Sequence, residues 1–455
     1  MAKHIFTSFD PYHSKIIAKT PGINDEEMLE AVSKAQKAYK SWKQTALQDR
    51  LQKIGKLKEV LQEHTKEWAE VMSQEMGKPI AESIAEIEKC GLLCDYYIEH
   101  SESFLAEEHI STDADESYVR FDPLGLILGI MPWNFPFWQV MRFAVPAIIA
   151  GNTTLLKHAS NVQLSAKNIE KAFDEAGFPE GVFANLPITS DQTTKLIEHK
   201  DIRGVSFTGS EQAGRSVAEV AGKNLKPVVL ELGGSNALVV LDDCDVEKTA
   251  KICAKSRFQN NGQSCIAGKR LFVQKDIADE FLVALKNEVK HLTQGEPMQE
   301  EVQITALAKS EYADELEKQV FDTLGNPPAT DFSWKKEDSK IAPNLAEVED
   351  IQTKLMQEET FGPMLAYHIF DKDEEVPLLV NSNDFGLGAS IFTQSISRAK
   401  ALIPQLDEGA VFINSMVKSD PAMPFGGVKN SGIGRELGEY GLKSFVNIKS
   451  VWIEK

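Results

Sequence analysis

Apolar positions in the first third of the chain recur at helical spacing. Ile23 and Met28 flank Asn24-Asp25-Glu26-Glu27, and Leu29, Val32, Ala35, Ala38, Tyr39 and Trp42 continue the period. Asn24 is placed to cap the first turn, the three acids oppose the helix dipole, and Ile23 with Met28 stand where a hydrophobic staple would. A second helix is predicted from Asp49 to Met76, ending at Gly77-Lys78-Pro79, and a third carries Cys90 and Cys94. From about residue 124 the texture changes. Short apolar runs (Leu126 to Ile130, Thr153 to Lys157, Val205 to Thr208, Val228 to Leu232) alternate with amphipathic stretches. This is the pattern of a parallel sheet with helices on both faces. A second α/β series begins at Ala237 to Leu241 and runs to about residue 430. Ser117 to Phe121 and Phe445 to Ile453 fit neither series and read as edge strands able to pair between subunits.

One uncharged stretch, Pro123 to Met141, is nominally long enough to span a bilayer, at about 20 residues. It contains Pro132, Asn134, Pro136 and Gln139, which would leave backbone groups unsatisfied in lipid, so it is expected to be a buried strand, a loop and the start of a buried helix. Lys and Arg total 49 against 68 Asp and Glu, a formal charge of −19, which argues against nucleic acid or an anionic membrane as a general partner. Five cysteines without metal-ligand spacing suggest a reducing compartment and no disulfide framework. No apolar leader segment is evident at the N-terminus, and a soluble, cytoplasmic protein is expected.

Three polar residues stand where chemistry is possible. Cys265 closes Asn261-Gly262-Gln263-Ser264-Cys265, a polar, glycine-containing turn that can expose a thiol and hold it as thiolate; an inert core thiol is the alternative. Glu231 ends the apolar run Val228-Val229-Leu230 before Gly233-Gly234. It is either a solvated strand end or a general base raised by apolar surroundings. Asn134 lies between two prolines in Pro132-Trp133-Asn134-Phe135-Pro136, either satisfying its own turn or acting as a fixed amide donor to an oxyanion. Phe207-Thr208-Gly209-Ser210 opens a helix whose first N–H groups can face a pyrophosphate. Gly432-Ile433-Gly434 follows no strand and is set aside as a dinucleotide fingerprint.

Together these motifs resemble the aldehyde dehydrogenase superfamily over nearly the whole chain. In order they are Pro132-Trp133-Asn134-Phe135-Pro136, Gly151-Asn152, Lys157, Phe207-Thr208-Gly209-Ser210, Glu231-Leu232-Gly233-Gly234, Gly262-Gln263-Ser264-Cys265, Glu358-Glu359-Thr360-Phe361-Gly362-Pro363, Asn414, and Pro424-Phe425-Gly426-Gly427-Val428-Lys429 with Ser431-Gly432. The resemblance implies an α/β fold with a parallel-sheet dinucleotide-binding domain (1–106 and 124–232), an α/β catalytic domain (233–432) and a small β oligomerisation flap (107–123 and 433–455). It casts Cys265 as nucleophile, Glu231 as the base for the deacylating water and Asn134 as the oxyanion amide. It places Trp133, Lys157, Ser160, Gly209, Ser210, Leu232, Glu359 and Phe361 at the cofactor, and implies a homodimer or homotetramer.

Within the superfamily the chain is most similar to the short succinate-semialdehyde dehydrogenases. Arg142 stands where those enzymes carry an arginine for the far carboxylate, although an internal acidic partner would also explain it. Trp138 and Ser419 are expected beside it. Where some relatives have a second arginine this chain has Gln259, which Lys418 or the Ser419 hydroxyl is expected to offset. NAD-specific relatives have a glutamate where this chain reads Lys157-His158-Ala159-Ser160, so both NAD+ and NADP+ are expected to be used. No metal is implied. The competing expectations are a broad aldehyde or aminoaldehyde dehydrogenase and a cysteine thioester hydrolase or acyltransferase.

Overall fold

In the computed structural model, which describes residues 4–455, two six-stranded sheets carry the chain's chemistry. The first runs in spatial order Phe183–Asn185, Thr153–His158, Leu126–Met131, Ile202–Thr208, Val228–Glu231 and Gly432–Ile433. Its first five strands are parallel, and Gly432–Ile433 lies antiparallel against Glu231 and Leu230. Leu126–Met131 is buried at every position because both sheet faces are covered. Leu126, Leu128 and Ile130 pack towards Met28 and Val32 of the first helix, while Ile127 and Met131 pack on the opposite face with the longer helices. The chain winds outward from Leu126–Met131 in both directions. The crevice beyond the carboxyl ends of that strand and its neighbour Ile202–Thr208 is therefore the place where a doubly wound sheet takes its ligand.

The second sheet is entirely parallel. Its order is Asn344–Glu347, Met364–Phe370, Gly268–Gln274, Asn236–Val240, Ala389–Phe392 and Val411–Ile413. The loop that carries Cys265 leads directly into its strand Gly268–Gln274.

Three expectations need correction. The N-terminal third is not purely helical, since an antiparallel hairpin, Ile5–Asp10 with Lys15–Pro21, precedes the helices. Its inward positions are Phe6, Ser8 and Asp10 while Ile5 and Phe9 face outward, so the strand carries no apolar alternation that would have revealed it. The predicted second helix is two, Leu47–Glu63 and Thr65–Met76, broken at His64 (φ −98°, ψ 7°) without a glycine or proline to mark the break. The two stray strands pair with each other: Val446–Ile453 runs antiparallel to Glu116–Pro123, which also holds Glu108–His109. Elsewhere the local signals hold. Asn24 and Glu27 form a capping box at the start of Asp25–Trp42, and Cys90 and Cys94 are buried within Ile80–Phe104. Among the described residues no helix is long and apolar enough to cross a membrane.

Candidate active site

The uncharged stretch after Leu126–Met131 becomes the helix Pro136–Ile149, buried at every residue. A proline at its first position suits a helix start, where the missing N–H costs nothing. The next two N–H groups, of Phe137 and Trp138, donate to Glu86 Oε1 at 2.8 and 2.9 Å, and the other Glu86 oxygen pairs with the buried Lys78. A carboxylate from a neighbouring helix thus caps this one. Just before it, Asn134 is fixed at both ends of its amide. Gln139 Nε2 donates to Asn134 Oδ1 at 2.9 Å, and Asn134 Nδ2 donates to the Gln263 carbonyl at 3.0 Å. The second N–H of that amide is left for a ligand.

The polar run before Cys265 is not an exposed turn, as the sequence suggested, but a buried scaffold. Asn260 and Asn261 take left-handed backbone angles (φ 52° and 55°), which asparagine tolerates. The Asn261 amide spans Thr305 and Ala306, each at 3.0 Å, and Gln263 Oε1 receives the Ala308 N–H at 2.9 Å. Gly262 has φ 73°, and a Cβ there would fall 2.3 Å from the Gly362 carbonyl, so only glycine lets the Cys265 loop meet the Glu359–Phe361 loop. Cys265 is half-buried, and its backbone N–H has no acceptor among the described residues. Burial pushes the thiol up to about 11, against the opposing pull of Arg142 and Lys269. The expected resting thiolate is therefore a thiol in this structure.

Two hollows meet at Cys265 and Gln139. One, of about 250 Å³, is the crevice of the first sheet and is lined by Trp133, Gly209, Ser210, Leu232, Glu359 and Phe361. The other, of about 560 Å³, is lined by Lys89, Trp138, Arg142, Lys418 and Ser419 among others.

Features of the crevice fit a dinucleotide. Ser210 caps the helix Glu211–Lys223, whose first N–H groups open into it. A Cβ on Gly214 would fall 2.4 Å from Leu232, so the glycine allows this helix to lie close to the strand end. Glu359 is held by Lys269 at 2.6 Å and receives the Gly234 N–H at 3.1 Å. Lys269 also donates to the Cys265 carbonyl at 3.1 Å, linking that residue to the crevice glutamate. Lys157, at the end of Thr153–His158, is largely buried without an acidic partner, and Ser160 is exposed. His158 gives no help with an anion. It is buried between backbone groups, accepts the Ala159 N–H at 2.9 Å, and is pushed down to about 4, so it is neutral.

Glu231 sits apart from both hollows, buried, with neither carboxyl oxygen hydrogen-bonded. Glu436 and Arg142 lie near it, and Arg142 pairs with Glu436 while donating to Thr208 Oγ1 at 3.2 Å. Burial raises both carboxyls. Arg142 opposes this at both, with Arg435 at Glu231 and the Ser206 hydroxyl at Glu436; Glu231, which receives no hydrogen bond, is the more strongly raised of the two. Arg142 thus lines the cavity wall with its charge already compensated by the internal acid considered above. Lys418 lines the cavity, exposed and paired with Asp420 at 3.2 Å. Ser419 is buried and accepts from Trp138 Nε1 at 2.9 Å. Gln139, Glu436, Lys269 and Lys89 were not anticipated; of these only Gln139 left a trace, as a polar residue in an apolar helix.

The profile described as "Aldehyde dehydrogenase family" matches residues 1–451. A probable succinate-semialdehyde dehydrogenase [NADP(+)] of Synechocystis is 42% identical over 422 residues, covering 92% of this chain and 93% of the relative. A succinate semialdehyde dehydrogenase [NAD(P)+] of Escherichia coli is 37% identical, covering 98% of each chain. Among solved structures, succinic semialdehyde dehydrogenase from Streptococcus pyogenes in complex with NADP+ superposes with a TM-score of 0.96 at 33% identity, covering 99% of this chain and 100% of that one.

Proposed function

The chain belongs to the aldehyde dehydrogenase family, and on that footing we propose that it oxidises succinate semialdehyde to succinate with NADP+ or NAD+. The observation that carries this reading is the meeting of two hollows at Cys265. One has the helix start and the Glu359–Lys269 pair of a dinucleotide crevice, and the other is a cavity with cations in its wall.

Cys265 Sγ, once deprotonated, bonds to the aldehyde carbon. The oxyanion that forms faces the spare Asn134 N–H and the Cys265 backbone N–H, a contribution of about 3–4 kcal/mol per donor. A bound nicotinamide supplies the hydride acceptor, and a thioester remains on Cys265. Burial holds the Glu231 carboxyl well above the usual carboxylate range. It acts after it has ionised and turned towards the thioester, taking a proton from the water that releases the acid. Lys157 and Ser160 lie at and just beyond the end of Thr153–His158, the strand beside Leu126–Met131, and would meet the adenine ribose without a carboxylate to repel a 2′-phosphate, which supports use of both cofactors.

We further infer that the flap joins subunits of a homodimer or homotetramer. The outer edge of Val446–Ile453 is unpaired and exposes Ile448 and Trp452, as a strand awaiting a partner does. Five unpaired cysteines and the acidic charge support a cytoplasmic setting.

The test is growth of the nicotinamide absorbance band with succinate semialdehyde and with butanal, each run with NADP+ and NAD+. Reduction with both cofactors, and a kcat/KM for succinate semialdehyde at least about a hundredfold above butanal, is expected. Equal rates on the two aldehydes would favour a broad aldehyde dehydrogenase. Thioester hydrolysis without cofactor reduction would favour the hydrolase.

A further inference from the structure

The inference that follows rests on that substrate reading. The far carboxylate of a semialdehyde calls for a cation in the cavity wall, and several there are already matched. Lys78 is paired with Glu86, Arg142 with Glu436, and Lys418 with Asp420. Lys251 and Lys255 reach the rim from the exposed face of Val246–Phe258.

Lys89 differs from all of these. It projects from Ile80–Phe104, is largely buried, and has no carboxylate within ion-pair distance among the described residues. Its ammonium donates to Ser419 Oγ at 2.8 Å and lies 4.0 Å from the centroid of the Trp138 ring. Ser419 Oγ accepts from Trp138 Nε1 as well, so two donors occupy its lone pairs and its own hydrogen has no acceptor among the described residues. An ammonium and a hydroxyl donor are thereby held side by side on one wall of a cavity whose other end is Cys265. A buried charge without a counter-ion is costly, and a ligand carboxylate supplies the missing one.

We propose that Lys89 joins the Ser419 hydroxyl, which the resemblance already implies for the substrate, in receiving its carboxylate, and that Lys89 adds to the preference for an acidic aldehyde. Trp138 orients the pair, through its ring beneath the ammonium and its N–H on the serine.

The experiment compares Lys89→Met with the unaltered enzyme, since methionine keeps the length and helix propensity of lysine and removes the charge. The readout is the ratio of kcat/KM for succinate semialdehyde to kcat/KM for butanal, with the inhibition constant of succinate against butanal alongside. The ratio is expected to fall at least about twentyfold, and succinate inhibition to weaken by a similar factor. A ratio and an inhibition constant both within twofold of the unaltered enzyme, on the order of measurement scatter, would overturn the role of Lys89 while leaving the substrate reading intact. If the unaltered enzyme itself shows no preference for succinate semialdehyde, that reading fails and the role of Lys89 fails with it. Ser419→Ala, which keeps the lysine, carries the same test should Lys89→Met not fold, with an expected fall in the ratio of about fivefold.

Discussion

Gln139 Nε2 donates to Asn134 Oδ1 at 2.9 Å, and this single bond decides that the Asn134 amide presents a spare N–H, the donor proposed to meet the oxyanion. With the oxygen held by Gln139 and one N–H on the Gln263 carbonyl, the remaining N–H is aimed before substrate arrives. Such a donor acts through its fixed direction, so its positioning residue carries part of the effect. Gln139→Leu is expected to lower kcat about tenfold with little change in KM for either substrate. Asn134→Ala should cost about 10²–10³. Steady-state kinetics check both, and a KM effect without a kcat effect would assign Gln139 to the cavity wall alone.

The buried pair of Arg142 with Glu436 has a different consequence. Removing one partner of a buried ion pair leaves the other charge stranded, at a cost of about 3–5 kcal/mol. Arg142→Met is therefore expected to destabilise the fold by roughly that amount in urea titration. Arg142→Met with Glu436→Leu is expected to recover most of the loss. Equal stability of the single and double variants would mean that Arg142 is not held by this acid.

These two relationships also mark how much could be seen in the sequence. Asn24 with Glu27, and the strand Leu126–Met131, were legible because a cap spans three residues and a buried strand is one apolar run. Cys265, Asn134 and Glu231 were legible as polar residues set against glycine, proline or an apolar strand. The pairing of Arg142 with Glu436 was not, and neither was the contact of Lys89 with Ser419. Their partners are hundreds of positions away, and nothing local distinguishes a lysine that meets an acid from one that does not. The hairpin Ile5–Asp10 with Lys15–Pro21 was hidden because it buries Ser8 and Asp10 and exposes Ile5 and Phe9, and the protonation of Cys265 follows from burial that only the packed loop creates.

That protonation is directly measurable. With the Cys265 thiol pushed up to about 11, only about one thiol in ten thousand is ionised at neutral pH. Alkylation of Cys265 by iodoacetamide, followed by mass spectrometry in the absence of cofactor, is expected to accelerate about tenfold per pH unit from pH 7 to 10. A plateau near neutrality would mean that the thiolate is already formed at rest.

Cofactor choice turns on Ser160. Lys157 has no acidic partner and His158 is neutral, so a carboxylate introduced at the exposed Ser160 position would face a 2′-phosphate with only one lysine to offset it. Ser160→Glu is expected to lower kcat/KM for NADP+ at least about tenfold relative to NAD+. Initial rates with the two cofactors decide this, and an unchanged ratio would place the phosphate elsewhere.

Lys89 makes substrate selectivity depend on pH. Burial and the nearby Arg142 push its ammonium down to about 8, while Glu86, Asp420 and the Cys90 thiol act in the opposite direction. The cationic form is complete well below that value and is lost as pH rises through it, so affinity for a carboxylate must fall on the alkaline side. Ionisation of Cys265 acts on every aldehyde alike and cancels in a ratio of kcat/KM values, which reports groups of the free enzyme. The ratio of succinate semialdehyde to butanal is therefore expected to be level below about pH 7 and to decline above about pH 8, approaching tenfold per unit. Lys89→Met should abolish that decline. A ratio independent of pH in the unaltered enzyme would mean that Lys89 does not hold the carboxylate.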